Sequence, residues 1–238
     1  MIYAVGDIHG QLEKLRTLLT ILRTAGMTDA DTLVFLGDYV DRGPDTAGVI
    51  GHLIEMRERR PNTVFLRGNH EQMLLDARQR YDCEFDARNP VGNCESGRYW
   101  HAEGGVQTLK SYGPRNDRHW TEMIPESHWD FMLDTSLEFE EGVYRFVHAG
   151  VVPPGEDWHF GEFDADPRLW IRTLFHVSDS EFDGKTIVFG HTPTADERPI
   201  LMWNKIGIDT GAGYGGPLTA VGLPDPYDLR FVKIYQAR

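Results

Sequence analysis

The sequence predicts an α/β protein in which two β-sheets form the core and helices cover them on the outside. Three observations support that class. Short apolar runs alternate with segments of helical periodicity up to about residue 70. Each of the first three runs ends in glycine and a polar residue, and the polar residues are 31 positions apart. Beyond residue 136, the apolar runs are short and closely spaced, as in strands.

The first third of the chain is predicted to contain three strands joined by two helices. The strands span residues 2–5, 32–36 and 63–66. Leucines at positions 12, 15, 18, 19 and 22 predict a helix over residues 11–25. Apolar residues 49, 50, 53 and 54 predict a second helix that begins after Pro44. Strands joined in this way lie parallel, so their carboxyl ends meet at one edge of the sheet.

The rest of the chain is predicted to be helical or irregular up to residue 135 and rich in strands after it. A loop is expected near residues 81–97, and Gly104 and Gly105 mark the start of a helix. Residues 137–140 and 144–147 are expected to form a hairpin about Glu141 and Gly142. Further strands are predicted at 186–189, 200–208, 218–223 and 229–235. Since no linker divides the chain, we expect a single domain over residues 1–238.

Composition limits the classes of partner. The formal net charge is −13, which disfavours a duplex nucleic-acid binder or an anionic-membrane binder, because both need a basic surface. The N-terminus enters a strand at once, so neither a signal peptide nor a membrane span is predicted. The two cysteines, Cys83 and Cys94, are not expected to form a disulfide, which suits a reducing compartment. We therefore expect a cytoplasmic protein.

Side chains of the metal-ligand type stand at the ends of five apolar runs. They are Asp7 and His9, Asp38 with Asp41 and Arg42, Asn69 with His70, His148, and His191. Carboxylate, imidazole and amide groups suit borderline divalent ions such as Mn, Fe and Zn. Each residue also has a structural interpretation, such as an N-cap for Asn69 or a solvated helix start for Asp38. The equal spacing of Asp7, Asp38 and Asn69 after predicted parallel strands favours one shared metal site.

The same five motifs resemble those of the calcineurin-like metallophosphoesterases. They are Gly-Asp-Ile-His-Gly from Gly6, Gly-Asp-Tyr-Val-Asp-Arg-Gly from Gly37, Gly-Asn-His-Glu from Gly68, His-Ala-Gly from His148 and Gly-His-Thr from Gly190. The order is kept from residue 5 to about residue 219. More narrowly, the motifs resemble those of the phosphoprotein phosphatases that include the bacteriophage lambda phosphatase and bacterial serine/threonine phosphatases. The resemblance implies a four-layer fold, with a central β-sandwich flanked by helices.

The resemblance also implies a centre of two divalent ions, with manganese expected and iron or zinc as alternatives. Six residues would hold the ions: Asp7 and His9 the first, Asp38 as a bridge, and Asn69, His148 and His191 the second. His70 would be the general acid, oriented by Asp41. Arg42 would bind the phosphate together with Arg172, which follows an apolar-aromatic segment as expected for the family. Asp209 would support the site from behind.

The implied reaction is metal-dependent hydrolysis of phosphoserine or phosphothreonine esters, with in-line attack by a hydroxide that bridges the two ions. Two divalent ions would also make the site cationic on an acidic body, and so admit a phosphate. The expected partner is a phosphorylated protein or a small phosphoester. The oligomeric state is left open, and a monomer agrees with the sequence.

Two alternatives remain. Symmetrical diadenosine tetraphosphatases share the metal ligands, but that group commonly has alanine before Arg-Gly and aspartate after Asn-His. This chain has Asp41 and Glu71 at those places, which favours the phosphatase. The other alternative is a scaffold without activity, and the presence of all the expected ligands and of His70 disfavours it.

Overall fold

The computed structural model describes residues 1–79, 95–113, 120–159, 165–224 and 232–238. The strands are β1 (Ile2–Val5), β2 (Thr32–Phe35), β3 (Thr63–Phe65), β4 (Glu138–Glu141), β5 (Tyr144–Val147), β6 (Thr186–Phe189), β7 (Ile200–Met202), β8 (Lys205–Gly207), β9 (Leu218–Leu223) and β10 (Lys233–Ala237). The helices are α1 (Leu12–Thr24), α2 (Thr46–Arg59), α3 (Asn69–Gln79), α4 (Glu95–Trp100), α5 (Val106–Ser111), α6 (Trp120–Met123), α7 (Glu126–Leu133), α8 (Pro167–Trp170) and α9 (Thr173–Val177).

The first sheet has the order β10-β9-β1-β2-β3. As predicted, β1, β2 and β3 are parallel, while β9 and β10 pair antiparallel. The register sets Val5 beside Phe35 and Phe35 beside Phe65, so the three strands end at the same level. The loops that follow them therefore begin side by side, although they are far apart in sequence.

The second sheet has the order β4-β5-β6-β8-β7. The predicted hairpin of β4 and β5 is confirmed, and β5, β6 and β8 are parallel. The single strand predicted at 200–208 is wrong, because the chain turns at Trp203 and Asn204 and β7 pairs antiparallel with β8. The buried ammonium of Lys205 fixes the start of β8 by donating to the carbonyl oxygens of Phe175 and Ser178. These hydrogen bonds join residues that are far apart in the sequence, so the local sequence pattern could not predict them.

Side chains that point alternately to the two faces of each strand allow the sheets and helices to pack in four layers. Ile2 and Ala4 of β1 face a cluster between the two sheets, whereas Tyr3 and Val5 face a cluster shared with the helices outside the first sheet. Neighbouring positions of a strand point to opposite faces, so one four-residue strand serves both clusters. A third cluster packs α9 against the outer face of the second sheet. The layered α/β architecture is confirmed.

Several predictions concern parts of the chain that the structure describes only partly. The expected loop at 81–97, together with Cys83 and Cys94, falls almost wholly outside the described residues. So do residues 229–231 of the last predicted strand, which is observed as Lys233–Ala237. Within the described ranges, none of the helices has the length and apolar character required to cross a bilayer.

Candidate active site

The loops after β1 and β2 are joined by backbone hydrogen bonds. The amides of Ile8 and His9 donate to the Asp38 carbonyl oxygen at 3.0 and 2.8 Å, and Gly10 donates to Tyr39 at 2.8 Å. These loops hold ordinary residues in the left-handed region of backbone space, namely His9 (φ 47°), Asp38 (53°), Asp41 (73°) and Arg42 (63°). Such conformations cost about 1–3 kcal/mol each and concentrate at functional sites. The loop backbone therefore aims these side chains into a common space.

Two groups of potential ligand atoms share one carboxylate. His9, Asp38 and His70 form the first group, and Asp38, His148 and His191 form the second. Within each group the ligand atoms lie within 4.8 Å of one another. The two carboxylate oxygens of Asp38 face different groups, because Oδ2 is 3.4 Å from His9 Nε2 and Oδ1 is 3.4 Å from His148 Nε2. This is the arrangement expected of a bridging carboxylate.

The remaining predicted ligands lie close by. The Asn69 side-chain oxygen is 2.9 Å from His148 Nε2 and 2.9 Å from His191 Nδ1. The Asp7 carboxylate accepts a hydrogen bond from the backbone N–H of His191 at 3.0 Å and lies outside both groups. All six predicted ligands are buried. The structure thus brings the six together, whereas their assignment to particular ions stays a prediction.

Hydrogen bonds orient the imidazoles for a cation. Nδ1 of His9 donates to the Val40 carbonyl and Nδ1 of His148 donates to the Leu36 carbonyl, both at 2.8 Å. Burial lowers the pKa of both imidazoles, so each is neutral and presents a lone pair on Nε2. The lone pair of His148 then faces the Asn69 oxygen, which also accepts. Two acceptors directed at each other need a cation, and this observation fits a metal centre.

The charges of the site indicate the same need. Burial raises the pKa of Asp7 well above its usual range, and the nearby Asp209 and Asp38 raise it further. Burial would also raise the pKa of Asp38, but His148, His70 and the other site histidines outweigh it and hold that pKa low. Burial raises the pKa of Asp209 to about 6. Several carboxylates excluded from water are compensated well by divalent cations.

His70 and Asp41 form a buried pair at the edge of the ligand groups. His70 Nδ1 donates to Asp41 Oδ2 at 2.7 Å, which leaves Nε2 directed at the site, 3.9 Å from Asp38 Oδ2. Burial disfavours the imidazolium of His70, but Asp38 and Asp41 outweigh that effect and raise its pKa. Asp41 also accepts from Trp100 Nε1 at 3.0 Å and from Thr108 Oγ1 at 2.7 Å. Sequence reasoning missed the roles of Trp100 and Thr108.

The two predicted phosphate-binding arginines occupy different environments. Arg42 Nη1 donates to His9 Nε2, its guanidinium lies 4.8 Å from the centre of the Tyr214 ring, and Nη2 is 3.5 Å from Glu103. Arg172 lies between α8 and α9 and donates to Thr192 Oγ1 at 3.2 Å. Burial, then His148 and Arg172, keep the pKa of His191 well below its usual range. Both cations therefore border the ligand groups.

A family comparison accounts for this arrangement. The profile of the calcineurin-like phosphoesterase family matches residues 1–195, which is most of the chain. The chain belongs to this family. It is accordingly a phosphoester hydrolase of the metal-binding type, and its clustered histidines and aspartates supply groups able to hold ions.

Individual relatives of this phosphoesterase differ in substrate. It is 29% identical to serine/threonine-protein phosphatase 1 of Salmonella typhimurium over 92% of this chain and 89% of that one. It is 27% identical to the asymmetrical bis(5'-nucleosyl)-tetraphosphatase of Bacillus cereus over 96% of this chain and 95% of that one. A cold-active protein-tyrosine phosphatase of Shewanella shares the fold, with a TM-score of 0.58 at 17% identity over 100% of this chain and 80% of that one.

Glu71 is a further residue of the phosphoesterase site whose role the sequence did not reveal. Its buried carboxylate accepts from the amides of Asp38 (2.8 Å), Tyr39 (2.8 Å), Val40 (3.2 Å) and Gly68 (2.9 Å). Burial raises its pKa to about 7, and the Asp38 charge adds to this rise. Glu71 thus holds the loop that presents Asp38. The Gly-Asn-His-Glu motif contained the residue, but only the folded chain shows which amides it binds.

Glu71→Gln is expected to lower the free energy of unfolding by about 3 kcal/mol, because an NH₂ group would face two amide donors in a buried place. Urea unfolding of the metal-loaded protein measures this change. Glu126→Gln is the control, since Glu126 is largely exposed and its pair with Arg78 is worth less than about 1 kcal/mol. An equal change in the two variants would contradict the role assigned to Glu71.

Proposed function

We propose that this phosphoesterase is a phosphoprotein phosphatase that hydrolyses phosphoserine and phosphothreonine monoesters. The observation that supports the proposal most is the buried Asp41–His70 hydrogen bond of 2.7 Å beside Arg42. The resemblance supports this choice, because the symmetrical tetraphosphatases commonly have alanine at the place of Asp41 and aspartate at the place of Glu71. A monoester of serine or threonine has a poor alkoxide leaving group, so a positioned proton donor matters greatly.

The residues of the chain divide the work as follows. Arg42 and Arg172 offer planar pairs of N–H donors that match phosphate oxygens. His70 Nε2 carries the proton to the departing oxygen of the serine or threonine, while Asp41 keeps Nδ1 protonated and the ring in place. Two divalent ions, when bound by the six predicted ligands, would supply an activated water and neutralise phosphate charge. Manganese is our proposed ion, with iron or zinc as alternatives, since a donor set of nitrogen and oxygen suits all three.

A tetraphosphatase-like hydrolase is the second candidate, and aromatic side chains around the site favour it. The Tyr214 ring is 67% exposed beside Arg42. Tyr99 is 48% exposed and its ring centre lies 6.3 Å from that of Trp170, which is in turn 6.2 Å from the His191 ring. Exposed aromatic faces stack on nucleobases. These rings would suit the bases of a dinucleoside polyphosphate as well as a peptide.

Relative kcat/KM values test the two candidates. Manganese-loaded protein is given phosphoserine, phosphothreonine and phosphotyrosine peptides and diadenosine tetraphosphate. We expect the phosphoserine and phosphothreonine peptides to be preferred over the dinucleotide at least tenfold. A tenfold preference for the dinucleotide would overturn the proposal. Tyr99→Ala would then be expected to lower dinucleotide turnover by about 5- to 160-fold, which corresponds to the loss of one stacked base.

Three further expectations accompany this proposal. We infer from the composition that the enzyme acts in the cytoplasm, on phosphorylated proteins or small phosphoesters, and without nucleic-acid or membrane partners. We also infer one domain over residues 1–238. The sparse cysteines support the compartment, the acidic composition supports the partners, and the lack of a linker signal supports the single domain.

A further inference from the structure

A cavity of about 450 Å³ opens between α1 and α2, on the outer face of the first sheet. Four arginines line it, Arg16 and Arg23 from α1 and Arg59 and Arg60 from the end of α2. We call it the arginine pocket. The volume is that of a site for a small organic ligand. Such a collection of cations is unexpected on a chain whose net charge is −13.

The arginine pocket is separate from the phosphoesterase site. The catalytic loops precede the N-terminal ends of α1 and α2, whereas Arg23 and Arg59 lie in the last turn of each helix. The 13 residues of α1 extend for about 20 Å. Leu33, which also lines the pocket, is near the start of β2, at the edge of the sheet opposite to the ligand groups. A molecule in the pocket would therefore not touch the metal ligands.

Arg60 is a buried arginine of the pocket that hydrogen bonds hold in place. Its side chain is only 7% exposed, and it is fixed by hydrogen bonds to Asp29 Oδ1 at 3.1 Å and to the Asp31 carbonyl at 2.6 Å. Its Nε–H is buried and has no hydrogen-bond partner within the described ranges of the chain. A buried donor without an acceptor costs about 1–3 kcal/mol. An anion that reached this nitrogen would remove that cost.

The charges of the arginine pocket favour an anion. The lining carries two carboxylates, Asp29 and Glu55, against four arginines, and the exposed Glu13 pairs with a third arginine at 2.8 Å, so one positive charge remains unpaired. Glu55 is weakly engaged, because it is exposed and 3.6 Å from Arg59. Arg23 makes no ion pair with any residue that the structure describes. A phosphate monoester, which carries about −1.5 to −2 charges at pH 7, would be attracted by this charge and by the weakly paired Arg59.

Other lining groups fit the body of such a ligand. The remaining apolar lining consists of Leu19, Met27, Leu33 and Met56. His52 also lines the pocket, and burial lowers its pKa, with Arg16 adding to the effect. The imidazole is therefore neutral and able to stack or to exchange one hydrogen bond with a ring. Methionine side chains adapt to flat apolar ligands.

We propose that the arginine pocket is a second ligand site, which binds a phosphate monoester with a flat apolar body, of the size of a nucleoside monophosphate. The phosphate lies among Arg23, Arg59 and Arg60, and the ring lies against Met27 and Met56. The site is independent of the substrate of the metal centre, so either proposal can fail while the other holds.

Photolabelling locates the ligand directly. Manganese-loaded protein is illuminated briefly with 8-azido-AMP, digested and mapped by mass spectrometry. We expect label on peptides from α1 or α2. Unlabelled AMP should prevent this labelling at a concentration at least tenfold lower than adenosine requires, because the phosphate supplies most of the attraction. Label confined to the loops at the carboxyl edge of the first sheet, or equal protection by adenosine, would overturn the proposal.

Charge reversal supplies the matched control. Arg23→Glu with Arg59→Glu should weaken the protecting effect of AMP at α1 and α2 at least tenfold, while the rate of phosphoester hydrolysis stays at the wild-type value. Lys233→Glu reverses a charge at an exposed position of β10 and should leave AMP binding unchanged. If thermal melting shows that the double variant is unfolded, Arg23→Gln with Arg59→Gln replaces it. Wild-type protection by AMP in a folded double variant would contradict the assignment.

Discussion

Replacing His70 by asparagine is expected to lower kcat for a phosphoserine peptide by about 10²–10⁴-fold, while the bound metal stays near two ions per chain. The physical reason is the loss of the proton that Nε2 delivers to the leaving oxygen. The side-chain NH₂ group of asparagine can take the place of His70 Nδ1 and still donate to Asp41. Steady-state kinetics and elemental analysis on the same preparation give both quantities. Loss of an ion together with activity would instead make His70 a ligand, a role its closeness to His9 and Asp38 permits.

A double-mutant cycle with Asp41 tests whether the pair acts as a unit. Asp41→Asn should lower kcat by about 10–10²-fold, because the amide no longer favours the required protonation of Nδ1. The variant with both changes should be no slower than His70→Asn alone, since Asp41 acts through His70. His128→Asn, on a partly buried histidine that contacts Tyr112, serves as the control and should leave kcat unchanged. Fully additive losses would show that Asp41 has a separate task.

Replacing Asp38 by asparagine is expected to remove both ions and to lower kcat/KM on the order of 10³-fold or more. Asp38 is the residue common to the two ligand groups, with one carboxylate oxygen directed at each. The asparagine amide offers one ligand oxygen and carries no charge. It therefore cannot hold two divalent ions close together against their mutual repulsion. Elemental analysis of protein dialysed against buffer without metal measures the ions that remain.

Substitutions of two neighbouring carboxylates serve as controls for the Asp38 variant. Asp7→Asn should release one ion and keep the other, because Asp7 is predicted to serve the first ion alone. Asp209→Asn should retain both, since Asp209 is equally buried but accepts from the Gly211 amide and lies outside both groups. Retention of two ions by the Asp38 variant would exclude the bridging role. Loss of two ions from the Asp209 variant would show that the ligand set is larger than predicted.

The local sequence pattern was sufficient to predict the three parallel strands of the first sheet and the helices between them. Five leucines at helical spacing predicted α1 to within one residue at each end, and the 31-residue interval anticipated that Asp7, Asp38 and Asn69 would meet. The interval works because βαβ units of equal length return the chain to the same edge. The prediction failed at 200–208, where a two-residue turn without glycine or proline interrupts an apolar run.

Sequence alone thus predicted the α/β class and the edge at which the site lies, because those depend on periodicity and on side-chain chemistry, while the ten residues assigned to the site followed from the family resemblance and stay a prediction. Only the tertiary structure decided how Glu71 holds the Asp38 loop, which groups support Asp41, and that four arginines surround one pocket. These contacts join residues distant in sequence. These contacts stabilise the protein only when the partners are buried and within hydrogen-bonding distance. Both conditions are met only after the layers have packed.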